Sequence, residues 1–257
     1  MRPMLGERSL RSIGRGIMRP ANYRAMLSVA KVSPEPATFA RRYLVNDRSD
    51  YPARCPLRTP AGVVRPTVYS HWDIVTANEI FCRGDYLLPP DCRVVVDLGA
   101  NIGISAIYFL TRDPGVCVHA FEPDPRNVER LYANLAPFAG RWTIYDHAVG
   151  DQDATLAFGR DGWSGRHGAI GFEHGEQIQV WCRHVNDVLR DVLAVEGRID
   201  FLKIDIEGLE HATVAAIDSS LVRELKGICF ETEEPLNPWP DWFSMASTPN
   251  ICRLTRR

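Results

Sequence analysis

Val94, Val95 and Val96 form an unbroken apolar run of β-branched residues, the pattern of a strand buried on both faces. The run stops at Asp97 and a glycine-spaced turn (Gly99, Gly103). Ile102, Ile104, Ala106, Ile107 and Leu110 then recur at the spacing of a helix packing back on a sheet. The same alternation continues downstream. Strands are predicted over 116–121, 142–146, 199–204 and 227–230, and helices over 125–135, 185–194 and 210–224, the second capped by Asn186 or Asp187. Ala154 to Phe158 and Gln177 to Trp181 read as an antiparallel pair around the glycine-rich loop 159–175. Together these predict an α/β fold, a doubly wound, Rossmann-like and mostly parallel sheet, with no internal repeat.

The first 90 residues have a different texture. Residues 1–54 read as a helical leader, with helical spacing over 22–31 and 37–44 broken by Pro34 and Pro36. Residues 55–90 carry a hairpin, Leu57-Arg58-Thr59 and Val63-Val64 about Pro60-Ala61-Gly62, then a helix over 72–81. The sheet domain is expected over 91–234, followed by an irregular tail, 235–257.

Composition changes this picture little. The chain of 257 residues is 45% hydrophobic and 24% charged, with a formal charge of −2, which gives no reason to expect nucleic acid as a partner. Arg2, Arg8, Arg11, Arg15, Arg19 and Arg24 make the leader basic, enough for weak peripheral contact with a membrane at most. Seven scattered cysteines without a C-x-x-C pair read as small apolar residues in a reducing compartment, so a cytoplasmic protein with no zinc site is expected. No apolar run is long enough to span a bilayer, and no signal-peptide core is apparent.

Candidate chemistry collects where strands end. The spacing G-x-x-x-G differs from the G-x-G-x-x-G of dinucleotide enzymes. A carboxylate at Asp97 would repel a pyrophosphate but favour ammonium or sulfonium, and S-adenosylmethionine carries both. Glu122, held by Pro123 and Pro125, stands roughly 20 residues beyond the turn, where an acid accepts from both ribose hydroxyls; nicotinamide enzymes share that device. Asp146-His147-Ala148 ends the third strand, beside the place an adenine would take. Asp205, Glu207 and Glu210 surround Gly208 after a further strand; such acids bind an acceptor hydroxyl, act as general base, or hold a divalent metal, which is compatible here but not predicted. Glu210 reads more simply as a favourable first-turn charge. His147 and His211 are reserve candidates for the base, whereas His167, His174 and His184 lack metal-ligand spacing.

Four ordered motifs, Val96-Asp97-Leu98-Gly99-Ala100-Asn101-Ile102-Gly103, Phe121-Glu122-Pro123-Asp124-Pro125, Ala148-Val149-Gly150-Asp151 and Leu202-Lys203-Ile204-Asp205-Ile206-Glu207-Gly208-Leu209-Glu210, resemble those of the FkbM-type methyltransferases. Upstream, 73–86 resembles the family's cofactor-covering lead-in, and the likeness spans about 55–233. The resemblance implies an S-adenosylmethionine-dependent O-methyltransferase acting on a sugar, glycolipid or polyketide-type hydroxyl. It implies that Asp97, Gly99, Ala100, Asn101 and Gly103 cradle the methionine part and that Glu79 closes over its end. Glu122 would take the ribose, Asp146, His147 and Ala148 the adenine edge, and Asp205 or Glu207 the acceptor's proton. Enzymes of this architecture finish with a helix and a strand pair, and the chain after Phe230 reads as too short and irregular for them. Trp239, Trp242 and Phe243 would then cap the edge as a loop, or the chain is a truncated, non-catalytic relative; an open edge would also invite a homodimer. A nicotinamide-dependent oxidoreductase is the rival enzyme, but it would want a third glycine, no acid at 97 and a Tyr-x-x-x-Lys pair.

Overall fold

The computed structural model describes residues 28–160, 169–170, 176–248 and 250–257, with the short paired strands Met4–Leu5 and Arg8–Ser9. Arg2, Arg11, Arg15, Arg19 and Arg24 of the leader, the helical segment before 28, residues 161–168 and 171–175 of the glycine-rich loop, and with them His167 and His174, lie outside the described residues. The chain divides into two compact units, 1–85 and 86–257.

In the first unit, helix α1 (Pro36–Leu44) starts with a proline, whose missing N–H costs nothing at a helix start. Strands β1 (Ala53–Arg54) and β4 (Thr67–Val68) pair outside the expected hairpin of β2 (Leu57–Thr59) and β3 (Gly62–Val64). Helix α2 (His71–Ala77) opens on a capping box, Ser70 and Asp73 each bonding the other's backbone, and continues into a wider π-turn over Asn78–Arg83.

The second unit holds a sheet of seven strands in the order β14-β15-β13-β12-β5-β6-β7. They are β5 (Val94–Leu98), β6 (Cys117–Phe121), β7 (Trp142–Tyr145), β12 (Phe201–Ile204), β13 (Gly227–Glu231), β14 (Phe243–Ser247) and β15 (Ile251–Arg256). Neighbours pair in parallel except around β15, which is antiparallel to both β13 and β14. The valine run is buried as its pattern demands, at 3%, 0% and 0% exposure. Helices α3 (Ile104–Leu110), α4 (Pro125–Leu135) and α5 (Val185–Glu196) belong to this layer architecture. A second sheet, ordered β8-β11-β9-β10, comprises β8 (Ala148–Gly150), β9 (Ala154–Arg160), β10 (Ala169–Ile170) and β11 (Glu176–His184), and contains the expected antiparallel pair.

Three expectations are corrected. The final strand pair is present: β14 and β15 complete the sheet, so 235–257 is not an irregular tail and the edge of β13 is covered. Phe243, expected in a capping loop, instead begins β14 with its side chain fully buried, and Trp239 and Trp242 pack partly buried on the same core. No helix lies between β13 and this hairpin among the described residues, which is why a short tail suffices. Second, the helix read over 210–224 is two pieces, α6 (Glu210–Ala216) and α7 (Ser219–Val222). Asn186 fills the break, donating to the Ala216 carbonyl at 2.9 Å and accepting from the Asp218 N–H at 2.9 Å. Third, α5 is capped by His184, whose Nδ1 accepts from the Asn186 N–H at 3.1 Å, rather than by Asn186 or Asp187.

Candidate functional site

The strand register brings the predicted residues to one edge. Leu98 pairs with Ile204 on one side and Phe121 on the other, and Phe121 pairs with Tyr145. One residue further along each strand therefore stand Gly99, Asp205, Glu122 and Asp146, at a common level on the carboxyl edge. Strand order reverses between β5 and β12, and the crevice outside such a switch point is where open α/β sheets bind ligands.

The glycines of the first turn serve the protein's own packing. Gly99 has φ +77°, and a Cβ there would lie 1.7 Å from the Asp205 carbonyl oxygen; Gly103 has φ +91° and abuts Leu131. The turn is pinned by the N–H groups of Gly99 and Ala100, both donating to the Phe121 carbonyl at 2.9 Å. Asn101 follows in the left-handed region at φ +50°, which Asn tolerates. Its N–H donates to Glu122 Oε2 at 2.9 Å.

Glu122 is 4% exposed and has no cation within the ion-pair distances found among the described residues. It accepts from the N–H of Asn101 and from that of Asp124 (3.0 Å), with the Asn127 amide at 3.4 Å. Burial pushes its carboxyl up to about 7 despite these donors. A buried carboxylate so placed gains from further hydroxyl donors, which is what a ribose diol supplies.

Asp97 has its partners within the protein. It is fully buried, accepts from Ser105 Oγ at 2.6 Å, and lies 3.0 Å from Lys203 Nζ. Its charge is therefore answered by Lys203 and Ser105. Lys203 is the residue that sequence reasoning missed. It is 1% exposed, donates to the carbonyls of Gly99 (2.7 Å) and Leu98 (3.3 Å), and also lies 3.4 Å from Asp205 Oδ2. Burial alone would push the ammonium's pKa down, but Asp97 and Asp205 outweigh it and push it up. The available signal was a lone lysine inside Phe201-Leu202-Lys203-Ile204, since a charge in a buried strand needs a partner. Removing the smaller partner, Ser105→Ala, is expected to cost about 1.5–3 kcal/mol in urea unfolding, the range for a hydrogen bond to a charged group.

Asp205 is the more accessible of the two acids beside Lys203. Its side chain is 25% exposed, and Oδ2 accepts from the Tyr86 hydroxyl at 3.0 Å. Burial, then the Asp205 charge, push the Tyr86 phenol well above its ordinary value, so it stays a donor. Formally Asp97, Lys203 and Asp205 sum to −1, and of the two acids only Asp205 has a partly exposed side chain. Glu207 is exposed, at φ +56°. Glu210 turns back over the loop, accepting from the N–H groups of Ile206 (2.9 Å) and Gly208 (3.0 Å).

Asp146 is exposed and His147 half-buried. His147 Nδ1 donates to the Ala148 carbonyl at 3.0 Å, and its ring packs on Phe121, which itself stacks on Tyr145 at 4.4 Å. Burial pushes His147 down, leaving a neutral ring whose Nε2 is an acceptor. Ala148 is buried in β8. His211, the other reserve base, points Nε2 at Thr232 Oγ1 (2.6 Å), whose own proton goes to the Glu234 carbonyl; Nε2 therefore acts as a donor there. Glu79 belongs to the first unit, where it meets Arg83 at 3.2 Å in the π-turn; its place at the methionine end rests on the resemblance.

A seven-stranded, mostly parallel sheet with one reversed strand next to its last, and acids ranged along its carboxyl edge, defines a Rossmann-like methyltransferase. The chain belongs to the FkbM methyltransferase domain family, whose model matches residues 97–234, more than half of its length. It is 31% identical over 199 residues to the 31-O-demethyl-FK506 methyltransferase FkbM of Streptomyces tacrolimicus, covering 64% of this chain and 76% of that one. It is 26% identical over 204 residues to the AMB antimetabolite synthetase AmbE of Pseudomonas aeruginosa, covering 65% of this chain but spanning only 10% of that protein. It is also 31% identical over 99 residues to the 2-O-methyltransferase NoeI of Sinorhizobium fredii, covering 38% of this chain and 36% of that one. No helix among the described residues is long and apolar enough to cross a membrane.

Proposed function

We propose that this methyltransferase takes its methyl group from S-adenosylmethionine and delivers it to a hydroxyl of a small-molecule or glycolipid acceptor of sugar or polyketide type. The observation that carries the reading is Glu122: a buried carboxylate without a cation among the described residues, braced by the Asn101 N–H of the glycine turn, at the switch point of the sheet. Bound there, S-adenosylmethionine would supply an electrophilic methyl on sulfonium. Glu122 would accept from the ribose hydroxyls, neutral His147 Nε2 from the adenine amine, and the turn Gly99, Ala100, Asn101 and Gly103 would line the methionine side. Asp205 would orient the acceptor hydroxyl and take its proton as the oxygen attacks, with Tyr86 and Lys203 fixing the carboxylate. In-line alignment at near-attack distance supplies much of the rate in such a displacement. O-methylation is supported by the printed activities of the streptomycete and rhizobial relatives. The non-catalytic reading drew on missing closing strands, and β14 and β15 remove that ground.

Calorimetry with S-adenosylmethionine against NAD tests the cofactor, and its pH dependence tests Glu122. Because the free carboxyl titrates near 7 and the ionised form is the acceptor, affinity should rise from pH 6 to pH 8. Well below that value it should change by about tenfold per unit. Glu122→Gln should bind at least tenfold more weakly and lose this pH dependence. The same shift works against the empty fold: the folded state holds this proton more tightly, so stability declines from about pH 4.5 to 7, and Glu122→Gln should abolish that decline. Equal binding by the variant, or preference for NAD, would overturn the assignment. Transfer of labelled methyl to hydroxyl acceptors, with none to amines or thiols, tests the acceptor chemistry.

A further inference from the structure

Cys117 and His119 stand two residues apart on β6 and so project from the same face of the sheet. Glu196, the last residue of α5, comes down on them. One donor atom from each, the Cys117 thiol, an imidazole nitrogen and a carboxylate oxygen, lie within 4.8 Å of one another, the one such His/Cys/Asp/Glu group among the described residues. His119 Nε2 is 2.9 Å from Glu196 Oε1. Its other nitrogen, Nδ1, is 3.1 Å from the Tyr145 hydroxyl.

We propose that Cys117, His119 and Glu196 form a binding site for a divalent transition metal of zinc type, with water completing a tetrahedron. The donor set is that of borderline-soft cations. Bonds of about 2.0–2.3 Å to such ligands place donors roughly 3.3–3.8 Å apart, so His119 and Glu196, now 2.9 Å apart, would spread to admit the ion. The outer contact is also in place. Tyr145 can donate to Nδ1 while Nε2 carries the proton toward Glu196, or accept from Nδ1–H once Nε2 binds metal, so it orients the ring in either tautomer. Burial pushes the Cys117 thiol up to about 11, a preference a bound dication reverses. The imidazole side chain is 3% exposed but that of Glu196 is 29%, which leaves an entry path at the helix end.

This site is separate from the methyl-transfer edge. Cys117 is level with Val94, at the opposite end of the strands from Glu122. His119 is level with Val96, whose side chain faces away from that of Asp97. The metal would tie the C-terminal end of α5 to β6, a structural role with no step in methyl transfer.

The test uses the full chain, stripped with a chelator and titrated with zinc chloride by calorimetry, then with cobalt(II) by absorption. One zinc per chain and a thiolate-to-cobalt charge-transfer band are expected. Cys117→Ser should lose the band, and Glu196→Gln, altered at a partly exposed helix end and expected to fold, should bind at least tenfold more weakly. Tyr145→Phe should weaken binding about tenfold, as outer contacts do, while Cys82→Ser in the first unit should change nothing. Absence of stoichiometric uptake and of the cobalt band in the wild-type chain would overturn the proposal without recourse to any variant. So would unchanged affinity in both Cys117→Ser and Glu196→Gln, which would leave a hydrogen-bonded triad only.

Discussion

Lys203→Met is expected to destabilise the protein by about 3–5 kcal/mol, the cost of breaking a buried ion pair by removing one partner. The ammonium lies between Asp97 and Asp205 at 3.0 and 3.4 Å and donates to two carbonyls of the glycine turn. Without it Asp97 is a fully buried carboxylate supported by Ser105 alone, and the carbonyls of Leu98 and Gly99 lose a charged donor. The folded-state pKa of Lys203 is raised, so its contribution is complete at neutral pH and is lost only as pH rises above the unfolded value of about 10.5. In a chain of this size the loss should appear as a fall in Tm of roughly 6–20 °C. A double-mutant cycle isolates the pair. Asp97→Asn should cost much less in Lys203→Met than in the wild type, because the charge it removes has already lost its partner. If Lys203→Met costs under about 1 kcal/mol, the strand ends are held by packing and the ion pair is incidental.

That pair also marks the limit of what the sequence discloses. Strands were legible because Val94-Val95-Val96 and their counterparts are unmixed apolar runs, and their registered ends put Gly99, Glu122, Asp146 and Asp205 on one edge as the spacing implied. The acid at 97 was legible as special, but the lysine that answers it was not. A sequence shows that a carboxylate ends a strand and does not show which residue faces it across the sheet, and here Lys203 pairs directly with Asp97. The closing hairpin was hidden for a related reason. In β14 only Phe243 is buried and the other four residues are exposed, so the strand lacks a periodic apolar pattern. It exists because β15 offers a full ladder of partners. Likewise the break between α6 and α7 is set by Asn186, from an element far back in the chain. The residues that escaped the sequence are those whose state is decided by a neighbour distant along the chain.

Asp205→Asn is expected to lower turnover by about 10²- to 10⁴-fold, the usual contribution of a positioned general base, with S-adenosylmethionine affinity changed far less. Two acids were candidates, and their surroundings differ. Glu207 is exposed, on a turn residue in the left-handed region. Asp205 is three-quarters buried and held by the Tyr86 hydroxyl and the Lys203 ammonium, so its carboxylate keeps one orientation at little entropic cost when an acceptor arrives. Asparagine preserves size and an acceptor oxygen for Tyr86 but cannot take a proton. The expected result is therefore a fall in kcat with little change in KM for cofactor, and loss of the acid limb from the kcat profile. Glu207→Gln should change turnover by less than about tenfold, and its pH profile should keep that limb. Lys203 complicates the reading, because Asp205→Asn also removes one of its partners; denaturation of the variant in urea separates a loss of folded protein from a loss of chemistry. If both variants turn over at the wild-type rate, the proton leaves the acceptor by another route, and Asp205 is only the anchor that Tyr86 and Lys203 share.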